Sequence, residues 1–431
     1  MSATMKLMTA AALSLFVAAP AARAQQTIPI GHLADFSGPT SDVGVPFGQG
    51  ITDAIAYVNA NGGVNGKKIA AETIDYSYQV PRAVAAYKKW AERDKVVAIF
   101  GWGTADTEGL ISFVTKDKIP YISASYAGTL TDPTGKAPRA ERAAPFNFFY
   151  APSYSDAARA LVQWAASDWK AKGGAGGAGK PKYVHMGANH PYANAPKAAA
   201  EEYAKELGFE VLPAIQFALT PGDYTPQCLS LKEAGANYAF LANTAGSNIS
   251  VLKACETVGA KVQFLGNVWG MDENAAKAAG SAANGVVIPL RTNAIFSDNA
   301  PGMTLVRAVS KMSDAGGTVY RPVHYLAAVC TVFYVKEALE WADRNGGITG
   351  ENIQKGMYQK KDWVPAGTEG VCEPATWTAL DHRPILDVNI YRAKVSGDTG
   401  GDLNKLVADG VIKLEKITTI NLPRRPEWLG Y

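Results

Sequence analysis

Apolar residues along this chain alternate between two rhythms. Short runs of nearly continuous apolar character are followed by longer stretches in which apolar positions recur every three or four residues, the pattern of buried parallel strands alternating with helices. Ile30 to Ala34 is one such run; it ends at Asp35, and Ser37-Gly38-Pro39 turns it into a loop. From Gly48 onward Ile51, Ala54, Ile55 and Val58 lie at helical spacing, and Asn61-Gly62-Gly63 supplies a stop where positive φ is needed. The same reading predicts strands at Lys68 to Asp75, Val96 to Phe100, Ile119 to Ser123 and Phe146 to Tyr150, with helices over Pro81 to Asp94 and Thr107 to Lys116. A second series opens with helix Ser155 to Trp169 and restarts after Lys180. Strands Tyr183 to Met186, Glu210 to Phe217, Tyr238 to Ala242 and Val262 to Gly266 then alternate with helices Ala195 to Leu207, Thr225 to Glu233 and Ile249 to Val258. Helices over Thr304 to Met312, Tyr320 to Ala342 and Ile348 to Tyr358 follow, and the tail holds strands around Asp387 to Ala393 and Ile412 to Thr419. This is an α/β chain with two doubly wound parallel sheets.

Charge and cysteine usage narrow the setting. Lys6 precedes an apolar run from Leu7 to Ala19, and Ala22-Arg23-Ala24 offers small residues for cleavage, so residues 1–24 read as a secretory signal peptide. No later run approaches the ~18 apolar residues of a membrane span, and no cysteine follows the cleavage point to take a lipid anchor. The expected product is a soluble periplasmic protein. The formal charge of +3 includes Lys6 and Arg23, and the basic pairs Lys67-Lys68, Lys88-Lys89 and Lys360-Lys361 are isolated, which leaves no footprint for nucleic acid. Cys228, Cys255, Cys330 and Cys372 are widely and irregularly spaced; export permits a disulfide, and buried free thiols fit the helical stretches equally well. No CxxC or Cys/His cluster suggests a metal, and no cofactor motif survives inspection. Gly174 to Lys180 satisfies GxxxxGK, but Pro181 stands where a hydroxyl must bind magnesium and the glycines precede a strand, so the segment reads as a surface loop. Gly101-Trp102-Gly103 has Asp106 where a dinucleotide fingerprint needs its third glycine.

Catalysis finds little support. There is no GxSxG elbow, no HExxH, and no cysteine near a plausible base. Asp35, Asp75 and Asp106 lie near strand ends and would be the acids of a secreted hydrolase, the rival reading.

The segment Ile30 to Ile69, with its SGP loop, a following glycine, and Asn61 to Ile69 in the pattern NxxGG(V/I)xGxK(K/L)I, closely resembles the opening of the bacterial periplasmic binding proteins for leucine, isoleucine and valine. Asp381-His382-Arg383-Pro384 in the tail resembles the same family. The resemblance implies a type 1 periplasmic binding fold in which the chain crosses between lobes three times, with lobe one over residues 27–148 and 290–365 and lobe two over 149–289 and 366–431. It further implies a monomer that captures a small organic acid or amino acid and hands it to the permease subunits of an ABC importer. A ligand sensor serving a separate signalling partner is the alternative within the same fold.

Ligands of open α/β sheets sit beyond the carboxyl ends of strands. That rule, with the resemblance, selects Trp102, Thr104, Ser125, Tyr126 and Ala127 from the first lobe and Tyr192, Thr244 and Trp269 from the second. By resemblance, Thr104, Ser125 and the backbone of Ala127 grip a ligand carboxylate without a formal cation, and Tyr192 matches a family tyrosine. The family's glutamate for the ligand amine aligns with Val268, and its tyrosines align with Val43 and Thr244, so an α-amino acid is disfavoured unless Asp272 or Glu273 swings in. Trp102, Tyr126 and Trp269 offer flat faces able to sandwich a ring, or else they pack the lobes. The expected ligand is a small aromatic or hydrophobic carboxylate; branched-chain amino acid binding proper is the alternative.

Overall fold

The computed structural model describes residues 27–174 and 179–431. The leader expected over residues 1–24, and residues 175–178 of the glycine-rich loop, lie outside the described residues. The first sheet is built around β1 (Thr27–Ala34), buried on both faces from Ile30 onward. It is flanked by β2 (Lys68–Asp75) and β3 (Ala98–Phe100), and β4 (Tyr121–Ile122) and β5 (Asn147–Phe148) complete the order β2-β1-β3-β4-β5, every pair parallel. Gly31 is required here: a β-carbon would lie 2.5 Å from the Trp90 ring, which packs directly on the strand. The helices α1 (Ser41–Ala60), α2 (Val80–Lys89) and α3 (Thr104–Asp117) connect these strands, and α1 ends as expected, with Gly62 at φ 95° and Gly63 at φ 66°.

The second sheet uses β6 (Lys182–Gly187), β7 (Glu210–Val211), β8 (Ile215–Gln216), β9 (Tyr238–Leu241), β10 (Gln263–Gly266) and β11 (Val287–Leu290), joined through α4 (Tyr154–Ala171), α5 (Pro191–Asn194), α6 (Lys197–Glu206), α7 (Thr225–Glu233), α8 (Ala245–Thr257) and α9 (Glu273–Ala279). The chain then returns to the first sheet as α10 (Met303–Ser310), α11 (Val323–Arg344) and α12 (Gly350–Met357), with α10 and α11 packed on α1. Finally β12 (Asp387–Val395), α13 (Leu403–Ala408) and β13 (Ile412–Asn421) rejoin the second sheet, whose order is β13-β12-β11-β10-β9-β6-β7 with β8 also on β6. The pairs of β12 with β11 and β13 are antiparallel. The connections after β5, after β11 and before β12 are the three crossings of a type 1 periplasmic binding fold. Leu326, Val329, Val332, Phe333 and Leu339 of α11 are all buried, as their spacing predicts.

Several local expectations need correction. The strand expected over Glu210 to Phe217 is two short strands, because Pro213 cannot donate to the ladder. The helix expected from Ala195 starts at Lys197, since Pro196 stands at its N-cap after the separate turn α5, and the helix expected from Tyr320 starts at Val323 behind Pro322. The thiols are not free. Cys228 on α7 bonds Cys255 on α8, and Cys330 on α11 bonds Cys372 ahead of β12, with Cα separations of 4.9 and 5.6 Å. Packing α7 beside α8, and the returning tail beside α11, brings together residues whose sequence spacing carries no such information. No helix among the described residues is long and apolar enough to cross a membrane.

Candidate ligand-binding cleft

The carboxyl ends of both sheets face each other across a cleft, and the loops leaving the strands line a small cavity of about 20 Å³. From the first sheet come Thr40, Tyr78, Trp102, Gly103, Thr104 and Ala124; from the second come Tyr154, Tyr192, Thr244 and Trp269. That is room for about one water molecule, far below the ~300–1,000 Å³ of drug-sized sites, so an organic guest enters only when the two walls part. Thr40 caps α1, Thr104 opens α3, Tyr154 opens α4 and Thr244 caps α8. Four long helices therefore direct their positive ends at one volume.

The hydroxyls carry the chemistry. Thr104 Oγ1 accepts from Ser125 Oγ at 2.9 Å, which leaves its own proton for a guest. Tyr78 Oη accepts from the Thr104 backbone N–H at 3.2 Å and likewise keeps a proton to donate. Tyr192 Oη is buried and meets no hydrogen-bond partner among the described residues, whereas the Thr244 hydroxyl faces the Asp42 carboxyl. Leaving a buried hydroxyl unmade costs about 1–3 kcal/mol, so such a group on a cavity wall marks a binding surface. Among the described residues, no carboxylate, cation or imidazole lines the cavity.

Aromatic rings form its floor. Trp102 and Trp269 meet edge to face, 5.0 Å between centroids at 61°, and Phe47 touches both. The two indoles make one continuous wall and not two parallel faces with a gap for a ring. Trp102 Nε1 donates to Thr40 Oγ1 at 2.9 Å and Trp269 Nε1 to Tyr154 Oη at 3.0 Å, which holds both rings in place. Contacts also cross the cleft mouth: Gly246 N–H donates to Asp42 Oδ2 at 2.5 Å, and Tyr78 lies 5.3 Å from His190.

Of the residues singled out from sequence, Trp102, Thr104, Tyr192, Thr244 and Trp269 line the cavity together. Ser125, Tyr126 and Ala127 do not. Ser125 supports Thr104 from behind, Tyr126 stacks on Trp269 with centroids 5.6 Å apart, and Ala127 leads into a short turn away from the lining. Val268 is buried. Asp272 Oδ1 caps α9 by accepting from Ala275 N–H at 2.7 Å, and Glu273 accepts from Tyr320 Oη at 3.2 Å and from Val323 N–H at 3.1 Å. Burial raises Asp272 to about 7, and burial with the neighbouring Asp272 raises Glu273 to about 8. Neither lines the cavity.

Sequence reasoning missed Thr40, Tyr78 and Tyr154, and also Arg291. Arg291 follows β11 directly and lies 3.9 Å over the Trp269 ring. The rule that selected Trp102 and Trp269, a residue just past a strand, applies to β2, β5 and β11 as well. The three aspartates of the hydrolase reading are occupied with structure. Asp35 accepts from Gly38 N–H, Thr40 N–H and Thr40 Oγ1, which folds the SGP loop. Asp75 accepts from Phe36 N–H, Ser37 Oγ and Ser77 N–H. Asp106 accepts from Tyr76 Oη at 2.7 Å, and burial raises it to about 7.

A sequence model of the family described as periplasmic binding protein matches residues 27–401. No curated protein matches the chain in sequence. Among solved structures, an ABC transporter substrate-binding protein of Aeropyrum pernix is 25% identical with a TM-score of 0.77, covering 94% of this chain and 98% of its own. A branched-chain amino acid ABC transporter protein of Thermus thermophilus with bound valine is 20% identical at TM-score 0.77, covering 91% and 97%. A solute-binding protein of Rhodopseudomonas palustris BisB5 in complex with 3,4-dihydroxybenzoic acid is 17% identical at TM-score 0.70, covering 92% and 97%.

Proposed function

This chain belongs to the periplasmic binding protein family, as a solute-binding protein of the ABC transporter class, and we propose that it captures a small aromatic or hydrophobic carboxylate between its lobes. The observation that carries this reading is the lining itself. Three hydroxyls, Thr104 and Tyr78 from the first sheet and Tyr192 from the second, have protons to donate, four long helices point their positive ends inward, and no lining residue carries a carboxylate that would repel an anion. Hydrogen bonds to a carboxylate are roughly twice as strong as neutral ones. Micromolar affinity needs only about 8 kcal/mol net.

The lobes of this proposal are residues 27–148 with 290–365, and 149–289 with 366–431. The ligand stabilises the closed state by touching both lobes at once, and release to the permease follows opening about the three crossings. The mature protein, cleaved near Ala24, acts as a soluble periplasmic monomer. The valine-bound and dihydroxybenzoate-bound relatives frame the choice of ligand. An α-amino acid is the second reading, and Asp42 favours it: its carboxylate reaches across the cleft mouth to the start of α8, beside Thr244, and could meet an ammonium group.

The test is thermal stabilisation of refolded mature protein by leucine, valine, phenylalanine, benzoate, hydroxycinnamates and urea-like amides. Stabilisation by the amine-free acids is the expected result. Stabilisation by leucine or valine, with no response to the acids, would overturn it in favour of the second reading.

A further inference from the structure

Arg291 is 2% exposed, yet no carboxylate of the described residues lies within ion-pair distance of it. Its Nη1 donates to Val268 O at 3.2 Å, its Nη2 donates to His324 Nδ1 at 3.0 Å, and its Nε has no partner. Because guanidinium can only donate, His324 Nδ1 must accept, which places the imidazole proton on Nε2. That atom stands 3.9 Å from Asp272 Oδ2, beyond hydrogen-bond reach, and Asp272 Oδ2 is itself without a partner. Asp272, whose carboxyl feels the Arg291 charge, thus meets it across an uncharged imidazole and not in an ion pair. A buried cation left so poorly neutralised is costly to the fold. Its guanidinium lies over Trp269, a wall of the cavity, and 5.6 Å from the ring of Tyr126.

We infer that Arg291 is the positioning residue that sets the charge preference of this cleft: acting through the indole of Trp269, it makes the cavity favour an anion over its neutral isostere. The inference rests on the carboxylate reading above and adds the group responsible for it. The lining donors alone cannot discriminate strongly, since hydroxyls accept as readily as they donate. A buried positive charge one ring behind them can, because little solvent screens it.

Isothermal titration with matched pairs, benzoate against benzamide and 4-methylvalerate against its amide, separates the two claims. Wild-type protein should prefer each acid. Arg291→Gln should weaken acid binding about tenfold, equivalent to 1.4 kcal/mol, and leave amide binding unchanged, while Arg291→Lys should restore much of the preference. Equal loss for acid and amide, or no loss, overturns the inference and leaves the carboxylate reading standing. A wild-type protein that takes the amides as well as the acids, or takes none of the acids, overturns the carboxylate reading and the inference with it. Asp272→Asn, titrated at pH 9 where the Asp272 carboxyl is ionised, decides the matter if Arg291→Gln does not fold, because asparagine retains the α9 cap and removes an opposing charge. It should widen the acid preference, and an unchanged or narrowed preference counts against Arg291.

Discussion

Replacing Glu273 by glutamine should stabilise this protein, and by an amount that grows with pH. Glu273 opens α9 and reaches across to α11, where Oε2 accepts from Val323 N–H, the first residue of that 22-residue helix, and Oε1 receives Tyr320 Oη. The carboxyl is fully buried with no cation beside it, so burial first and Asp272 second raise it from an ordinary 4.5 to about 8. A group raised in this way contributes stability that is complete below its unfolded value near 4.5 and is lost as pH climbs through 8. Holding the proton therefore costs about 1 kcal/mol at pH 5, about 3 at pH 7 and about 4 at pH 8, at 1.36 kcal/mol per unit. Glutamine copies the protonated form, since its carbonyl can accept from Val323 N–H while its amide faces Tyr320, and it carries no charge to desolvate. Urea unfolding of the mature protein, followed by tryptophan fluorescence at pH 5, 7 and 8, measures the difference directly. A glutamine variant that gains nothing between pH 5 and pH 8 relative to the parent would refute the reasoning, because the buried carboxyl would then be ionised at little cost.

Other residues give independent checks. Tyr192→Phe removes a buried hydroxyl with no protein partner, so unfolding stability should rise by about 1 kcal/mol while ligand affinity falls about tenfold; a drop in stability would mean the hydroxyl is already satisfied. Asp42→Ala deletes the 2.5 Å contact to Gly246 across the cleft mouth, and stopped-flow dissociation should quicken about tenfold, for a charge-assisted bond of about 1.5 kcal/mol. An unaltered off-rate would show that the contact does not hold the lobes together. Converting Cys330 and Cys372 to serine opens a loop with a sequence separation of 42 and should cost about 4 kcal/mol in the chain-entropy account. Equal urea midpoints for variant and parent would contradict that.

Much of this architecture can be read from local pattern. Continuous apolar runs such as Ile30 to Ala34 can be buried only between two helical layers, and 3.6-residue periodicity such as Ile51, Ala54, Ile55 and Val58 has a single face to hide. Alternation of the two leaves a wound parallel sheet as the compact solution, and in such a sheet polar loop residues gather at the carboxyl ends of strands. That rule, joined to the family resemblance, is what makes Trp102, Thr104, Tyr192, Thr244 and Trp269 candidates from the sequence. Prolines 196, 213 and 322 carried the corrections to element boundaries, and a stricter reading of their missing N–H groups would have placed those breaks.

What local pattern cannot carry is adjacency between distant segments. The pairings of Cys228 with Cys255 and Cys330 with Cys372 arise from helices packed side by side. Tyr78 and Tyr154 become lining residues because two sheets face each other, and Ser125 and Ala127 drop behind them for the same reason. Arg291 reads in sequence as one more residue after a strand; only the fold puts it over Trp269 with no ion-pair partner among the described residues. Hydrophobic periodicity is set by near neighbours along the chain and so determines elements and sheet type. Charge, hydrogen-bond satisfaction and cavity shape depend on groups hundreds of residues apart, and they exist only once the two sheets have closed on each other.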